Sequence, residues 1–211
     1  MKIVAKILLE LKAVSLSTKI PFKYSSGILS PIYTDCRILI SHPKERREIR
    51  DLYIKEINKT GIKFDVIAGT ATAGIPHAAW IAEELDLPMI YVRGKAKNHG
   101  KENQIEGKLK KGQNVAIIED LISTGDSALE TATAIRMAGG KADFIFSIMT
   151  YKMKVADENF QNSNLKLISL TDLEELINLA IEMDYIKESD KSVILDWISN
   201  PLSWGKKMGF E

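Results

Sequence analysis

Cysteine is almost missing from this chain. Cys36 stands alone among 211 residues, so no internal disulfide can form, and one free thiol fits a reducing compartment without demonstrating it. Long apolar runs are missing too. Stretches such as Val115 to Ile118 and Phe144 to Met149 fall far short of the roughly 20 residues that a membrane-spanning helix needs. Net charge is close to nil, at +1 from 29 basic and 28 acidic residues. That removes any global attraction to nucleic acid or anionic membrane, and any anion site must be local. Met1 to Leu11 mixes Lys2, Lys6 and Glu10 with aliphatics at helical spacing and lacks the unbroken apolar core of a signal peptide, so a cytoplasmic protein is expected. There is no internal repeat, and no strand end carries a Walker A or dinucleotide-binding glycine motif.

What is present is ordinary for a packed domain: 45% hydrophobic and 27% charged residues. From Pro43 to Thr60, Ile49, Leu52, Ile54 and Ile57 among many charges predict an amphipathic helix with proline in its first turn, ended by Gly61. Phe64 to Ala68, Gly74 to Leu85 and Met89 to Val92 then alternate as strand, helix and strand. Val115 to Ile118, Ser127 to Met137 and Phe144 to Met149 repeat the pattern. Such alternation implies an α/β fold with a mostly parallel sheet flanked by helices. The stretch from Arg93 to Gln113 has hardly any apolar residues and is expected to be an exposed excursion of the lid or binding-loop kind. Residues 1–40, with Pro21, Gly27 and Pro31 in a β-like context, are expected to form an N-terminal helix and a small hood, and 41–211 the core with C-terminal helices. Leu173 to Met183 and Ser192 to Ile198 should be helical, and Asn200-Pro201 should be a turn.

The strongest chemical signal is the run from Val115 to Ser127: an aliphatic strand, the acids Glu119 and Asp120, then Leu121 and Ile122, and the turn Ser123-Thr124-Gly125-Asp126-Ser127. In open α/β sheets, ligands bind at the carboxyl ends of strands, beside the N-termini of the following helices. A turn of Ser, Thr and Gly lets backbone N–H groups converge on a phosphate. Adjacent carboxylates cannot hold phosphate, but they suit the paired hydroxyls of a ribose and can organise a hydrated magnesium ion. Taken alone, the same residues could simply cap a helix.

A second small-residue turn, Gly69-Thr70-Ala71-Thr72-Ala73-Gly74, also lies between strand and helix and would let the backbone approach an anion. His77, beside Trp80 and Ile81, is expected to pack rather than act. The third element, Arg93 with Lys95, Lys97, His99 and Lys101, is by composition a solvated charged loop. The fourth runs from Phe22 to Arg37 and includes Lys23, Tyr33 and Asp35.

Together these strings resemble the type I phosphoribosyltransferases, and within them the orotate-specific branch, from about Leu11 to the C-terminus. The resemblance implies that Glu119 to Ser127 bind phosphoribosyl pyrophosphate, that Thr72 and Ala73 belong to a pyrophosphate loop, and that Arg93, Lys97 and His99 sit on a catalytic loop. Lys97 and His99 would then be catalytic. The Phe22 to Arg37 segment would be the hood over the base, with Ser123, Tyr33 and Lys23 on orotate and Lys23 or Arg37 facing its carboxylate. Magnesium would be held through substrate and water near Asp120. The resemblance further implies a homodimer with active sites shared between subunits, serving pyrimidine biosynthesis. Two rivals remain, a transferase for another nucleobase and a non-catalytic sensor of phosphoribosyl pyrophosphate. Some positions depart from the pattern. Ser25 and Gly94 stand where some members carry Lys, Thr72-Ala73 replace Tyr-Lys, and Thr150-Tyr151 occupy the place of an Asp and an orotate-binding Arg.

Overall fold

The computed structural model describes residues 2–24, 26–94 and 104–210. The chain opens with α1 (Lys2–Glu10), β1 (Val14–Leu16), β2 (Phe22–Lys23), β3 (Leu29–Ser30), β4 (Ile32–Thr34) and a 3₁₀ turn at Cys36–Ser41. β1 pairs antiparallel with β4, and β2 with β3, giving the two small ribbons of the hood. Then follow α2 (Pro43–Lys59), β5 (Val66–Thr70), α3 (Gly74–Leu85), β6 (Met89–Val92), β7 (Ile105–Glu106), β8 (Asn114–Ile122), α4 (Asp126–Met137) and β9 (Lys141–Thr150). The chain continues with α5 (Lys154–Asn162), β10 (Lys166–Asp172), α6 (Leu173–Glu182), α7 (Glu188–Ser199) and α8 (Pro201–Lys207).

The main sheet has the order β10-β9-β8-β5-β6-β7. Its neighbours are parallel except for the β6–β7 pair at one edge, which bears out the expected fold class. One face packs Ile49, Tyr53 and Ile57 of α2, Ile81 of α3, Leu8 of α1, Leu176 and Ile177 of α6, and Trp197 of α7. The other packs Ala128, Ala132 and Ile135 of α4 with Ala156 and Phe160 of α5. A sheet covered on both faces requires strands that are apolar throughout, and all five residues of β5 are buried. Among the described residues, no helix is long and apolar enough to cross a membrane.

Several boundaries differ from those expected. The strand placed at Phe64 to Ala68 runs from Val66 to Thr70. Phe64 instead packs edge-on against Phe144 and Phe146, with each ring centroid 6.0 Å away. β8 and β9 are longer than their apolar cores because Glu119, Leu121 and Ile122 of β8 keep pairing with β9. The excursion after Val92 is not exposed throughout. Ile105 pairs with Val92, and both Ile105 and Leu109 pack against the core on the α4 side. Asn200-Pro201 opens a helix, with Pro201 in the first turn of α8 and Trp204 buried. The Trp204 indole N–H donates to the Val193 carbonyl at 3.2 Å, giving a buried indole the partner it needs. α5 and β10 were not expected from the sequence.

Candidate active site

β5 and β8 run side by side only as far as Gly69 and Ile118. Beyond that register β8 stays bonded to β9 out to Ile122 and Thr150, while the β5 chain turns away through Ala71–Ala73 into α3. The divergence opens a crevice at the carboxyl end of the sheet, where open α/β folds bind ligands. Glu119 and Asp120 lie in that crevice. They line a cavity of about 400 Å³ together with Thr34, Asp35, Arg37, Ala71, Thr72, Ala73, Leu121 and Ser127.

Two glycines permit this geometry. A Cβ at Gly74 would collide with the Ile118 carbonyl oxygen, so only glycine lets the start of α3 close on β8. Gly125 holds φ +81° immediately before α4, and a Cβ there would lie 2.6 Å from the Phe160 ring. Its left-handed backbone turns the chain from β8 into α4. Thr124 and Asp126 bond through their side chains at 2.8 Å, and the Asn159 side-chain amide donates to the Thr124 carbonyl at 3.3 Å, which fixes the turn.

The acids are held from below. The Tyr53 hydroxyl, from α2, donates to the Glu119 carbonyl at 2.6 Å, and the Glu119 carboxylate accepts the Asp120 N–H at 3.0 Å. Burial, reinforced by the neighbouring Asp120 charge, pushes the Glu119 carboxyl well above the usual carboxylate range. Burial also raises Asp120, with the Glu119 hydrogen bond and the Arg37 charge among the opposing influences. Such a pair is poised to meet donors or a cation.

The hood is tied to the sheet from above. Tyr151, directly after β9, donates to the Thr34 hydroxyl at 2.9 Å, and Tyr24 donates to the Ile32 carbonyl at 2.7 Å. The Trp197 indole donates to the Leu29 carbonyl at 2.9 Å while meeting Tyr24 and Tyr151 edge-on. Tyr151 is therefore buried and engaged in holding the hood. Arg37 is clamped by Asp35, its Nε and Nη2 donating to the two carboxylate oxygens at 2.6 and 2.9 Å.

The structure brings Thr72, Ala73, Glu119, Asp120, Leu121 and Ser127 to one cavity. Ile122 is buried and ends β8, and Ser123, Thr124, Gly125 and Asp126 form the turn into α4. Tyr33 is exposed and packs against Phe22 with ring centroids 5.8 Å apart. Lys23 is exposed on β2, and neither it nor Tyr33 lines the cavity. Arg93 is paired with Glu106 at 2.7 Å and does not line the cavity either. Lys97 and His99 lie outside the described residues. His77 is buried between Tyr53 and Trp80, where burial depresses it to about 4, consistent with a packing role. Cys36 is buried beneath the acids and its thiol is pushed up by burial, the opposite of a reactive cysteine. Tyr53 was missed from sequence, and Thr34 and Asp35 stood in the Phe22 to Arg37 segment without a role of their own. Among the described residues, no cluster of three His, Cys, Asp or Glu side chains could enclose a metal.

The chain matches the phosphoribosyl transferase domain over residues 38–159. It is 49% identical to an orotate phosphoribosyltransferase of Coxiella burnetii over 95% of this chain and 96% of that protein. Among solved structures, it superposes on the Aeropyrum pernix orotate phosphoribosyltransferase with a TM-score of 0.76 at 27% identity, covering 87% of this chain and 99% of the other. On the Leishmania donovani UMP synthase the TM-score is 0.79 at 30% identity, covering 93% of this chain and 42% of that longer one.

Proposed function

Since this chain belongs to the orotate phosphoribosyltransferases of the phosphoribosyl transferase family, we propose how its own residues divide the work. The reaction joins orotate to the activated ribose of phosphoribosyl pyrophosphate and yields orotidine 5′-monophosphate and pyrophosphate. Bond making at the anomeric carbon leaves positive charge on the ribose ring and negative charge on the departing pyrophosphate, so catalysis is chiefly stabilisation of those charges.

The observation that carries the assignment is the position of Glu119 and Asp120 in the crevice where β5 leaves β8. There they meet the ribose hydroxyls as acceptors. The 5′-phosphate takes the Ser123 to Ser127 turn and the N-terminus of α4, where unpaired N–H groups and the helix dipole favour an anion. Pyrophosphate takes the Ala71–Ala73 turn and the N-terminus of α3. Orotate lies under the hood, against Ser123 and within reach of Tyr33 and Lys23. The donor set fits magnesium in its usual guise, because carboxylate oxygens beside a diphosphate suit a hard cation that keeps several waters. Asp120 would hold it through water, and when bound it supplies charge neutralisation to the leaving group.

Arg93, Lys97 and His99 act on the pyrophosphate of the partner's site in a homodimer. Support for action in trans comes from Arg93, which follows β6, pairs with Glu106 of the edge strand β7 and does not line the cavity of its own subunit. By composition the segment that follows is poor in apolar residues and rich in charge, as suits a loop that serves a ligand. A cytoplasmic location agrees with a single, buried thiol. The decisive assay follows the loss of orotate absorbance with phosphoribosyl pyrophosphate and magnesium. Turnover of orotate and not of purine bases is expected, and turnover of a purine with orotate untouched would replace this assignment.

A further inference from the structure

Among the described residues, the pyrophosphate end of the site has a charge deficit. Its loop, Ala71-Thr72-Ala73, carries no charged side chain, while three carboxylates, Asp35, Glu119 and Asp120, line the same cavity. A diphosphate brought beside them meets repulsion that backbone N–H groups and the partial charge of one helix end only partly offset. Among the described lining residues a single cation is present, Arg37. Resting on the active-site reading above, we propose that Arg37 of the hood is the cation with which each subunit grips the pyrophosphate of its own bound phosphoribosyl pyrophosphate.

The geometry suits that task. Asp35 accepts from Nε and Nη2 of Arg37 and from the Arg37 backbone N–H at 3.1 Å, so the guanidinium is fixed before any ligand arrives. Of its five N–H donors this clamp uses two, leaving the remaining three for an anion. The side chain stays 61% accessible, so it is available at the cavity wall rather than committed to packing. Its field already reaches Asp120, whose carboxyl it helps to keep ionised. Preorganisation of this kind removes the rotamer cost that a free arginine would meet on binding, and a planar fork matches two phosphate oxygens better than a lysine does.

Position separates this role from recognition of orotate's carboxylate. Arg37 shares the cavity with the Ala71–Ala73 loop and Ser127, whereas Ser123 and Lys23, the residues placed on the orotate side, do not line it. Lys152, a cation just after β9, is tied to Asp172 at 2.6 Å.

The test is calorimetry on the full chain with two probes: inorganic pyrophosphate with Mg²⁺, and orotidine 5′-monophosphate. Loss of a charge-assisted bidentate contact should weaken pyrophosphate binding to Arg37→Ala by about 10- to 100-fold and leave the nucleotide within about twofold. Arg37→Lys should recover only part of the loss. Unchanged pyrophosphate affinity overturns the proposal. So does a weakened nucleotide with pyrophosphate intact, which would move Arg37 to the orotate carboxylate. Equal weakening of both probes with a lowered melting temperature would make Arg37 a structural prop, and also overturns it. If the wild-type chain binds neither probe, the active-site reading itself fails. If the wild type binds both and Arg37→Ala matches it, only the assignment of Arg37 fails.

Discussion

The hydroxyl of Tyr53 donates a 2.6 Å hydrogen bond to the carbonyl of Glu119, so a helix on one face of the sheet fixes the strand segment that presents both acids. Tyr53 is fully buried and does not itself line the cavity, so it acts through Glu119 as a positioning residue. In Tyr53→Phe the ring still fills its space, but a buried carbonyl loses its donor, at a cost of about 1–3 kcal/mol of stability. The KM for phosphoribosyl pyrophosphate should rise about 3- to 10-fold, while that for orotate changes less than about twofold. Equal changes in both, or in neither, would show that the bond serves stability alone.

Glu119 should trade stability for function. Its folded-state pKa is raised by burial and by Asp120, so the carboxyl is tolerated when protonated and costs stability when ionised. The fold therefore loses stability as pH rises from the ordinary carboxylate value, near 4, toward the raised one, and bears the full penalty above it. Glu119→Gln keeps the shape without the charge. Relative to wild type it should melt higher at pH 8, with the advantage shrinking as pH falls toward 4, and it should bind phosphoribosyl pyrophosphate more weakly. A melting difference that is flat across pH would contradict the raised titration.

His77 carries the opposite sign. Burial lowers it from 6.5 to about 4, its Nε2 has no hydrogen-bond partner among the described residues, and the unfolded chain binds a proton that the folded one refuses. Its contribution is complete above about pH 6.5 and is lost as pH falls toward 4, on the order of 3 kcal/mol in all. His77→Leu removes that dependence. Urea midpoints measured between pH 7 and 4 should show the variant gaining on wild type as pH falls, and parallel curves would reject the buried neutral imidazole.

How far the sequence carried depended on whether the cause was local. α3 and β6 fall where apolar spacing places them, and the turn from Ser123 to Ser127 announces itself through small hydroxyl residues and Gly125. α5 was hidden because Ala156 and Phe160 are its only buried residues, too few to make a helical stripe. β10 went unread beside the clearer helix that follows it. Tyr53 lies 66 positions from Glu119, and nothing in its own neighbourhood tells a packing tyrosine from one that fixes an acid. Arg37 was visible as a cation of the hood, but its place opposite Ala71–Ala73 arises only when the ribbons fold over the end of the sheet. Tyr151, one of the departures from the family pattern, has a structural task of its own in its hydrogen bond to Thr34.

Sharing of the active site between subunits can be decided with two defective variants. Lys97→Ala should lower kcat by roughly 10²- to 10³-fold, as loss of one preorganised charge-stabilising group does. If, as proposed, the Asp120 carboxylate faces ribose and its hydrated metal, Asp120→Asn should weaken phosphoribosyl pyrophosphate binding. The two proteins are mixed, dissociated and allowed to reassociate. If each loop serves the partner's site, a hybrid dimer combines an intact loop from one chain with an intact cradle from the other at one site, and gathers both defects at the second. Random reassortment makes about half of the dimers hybrid with one good site of two, so recovery should approach roughly one quarter of wild-type activity. If loops act at home, every site in every dimer keeps a defect and no activity returns. Hybrids confirmed by mass spectrometry with no recovery would place Arg93, Lys97 and His99 on their own subunit's substrate and overturn the sharing of sites.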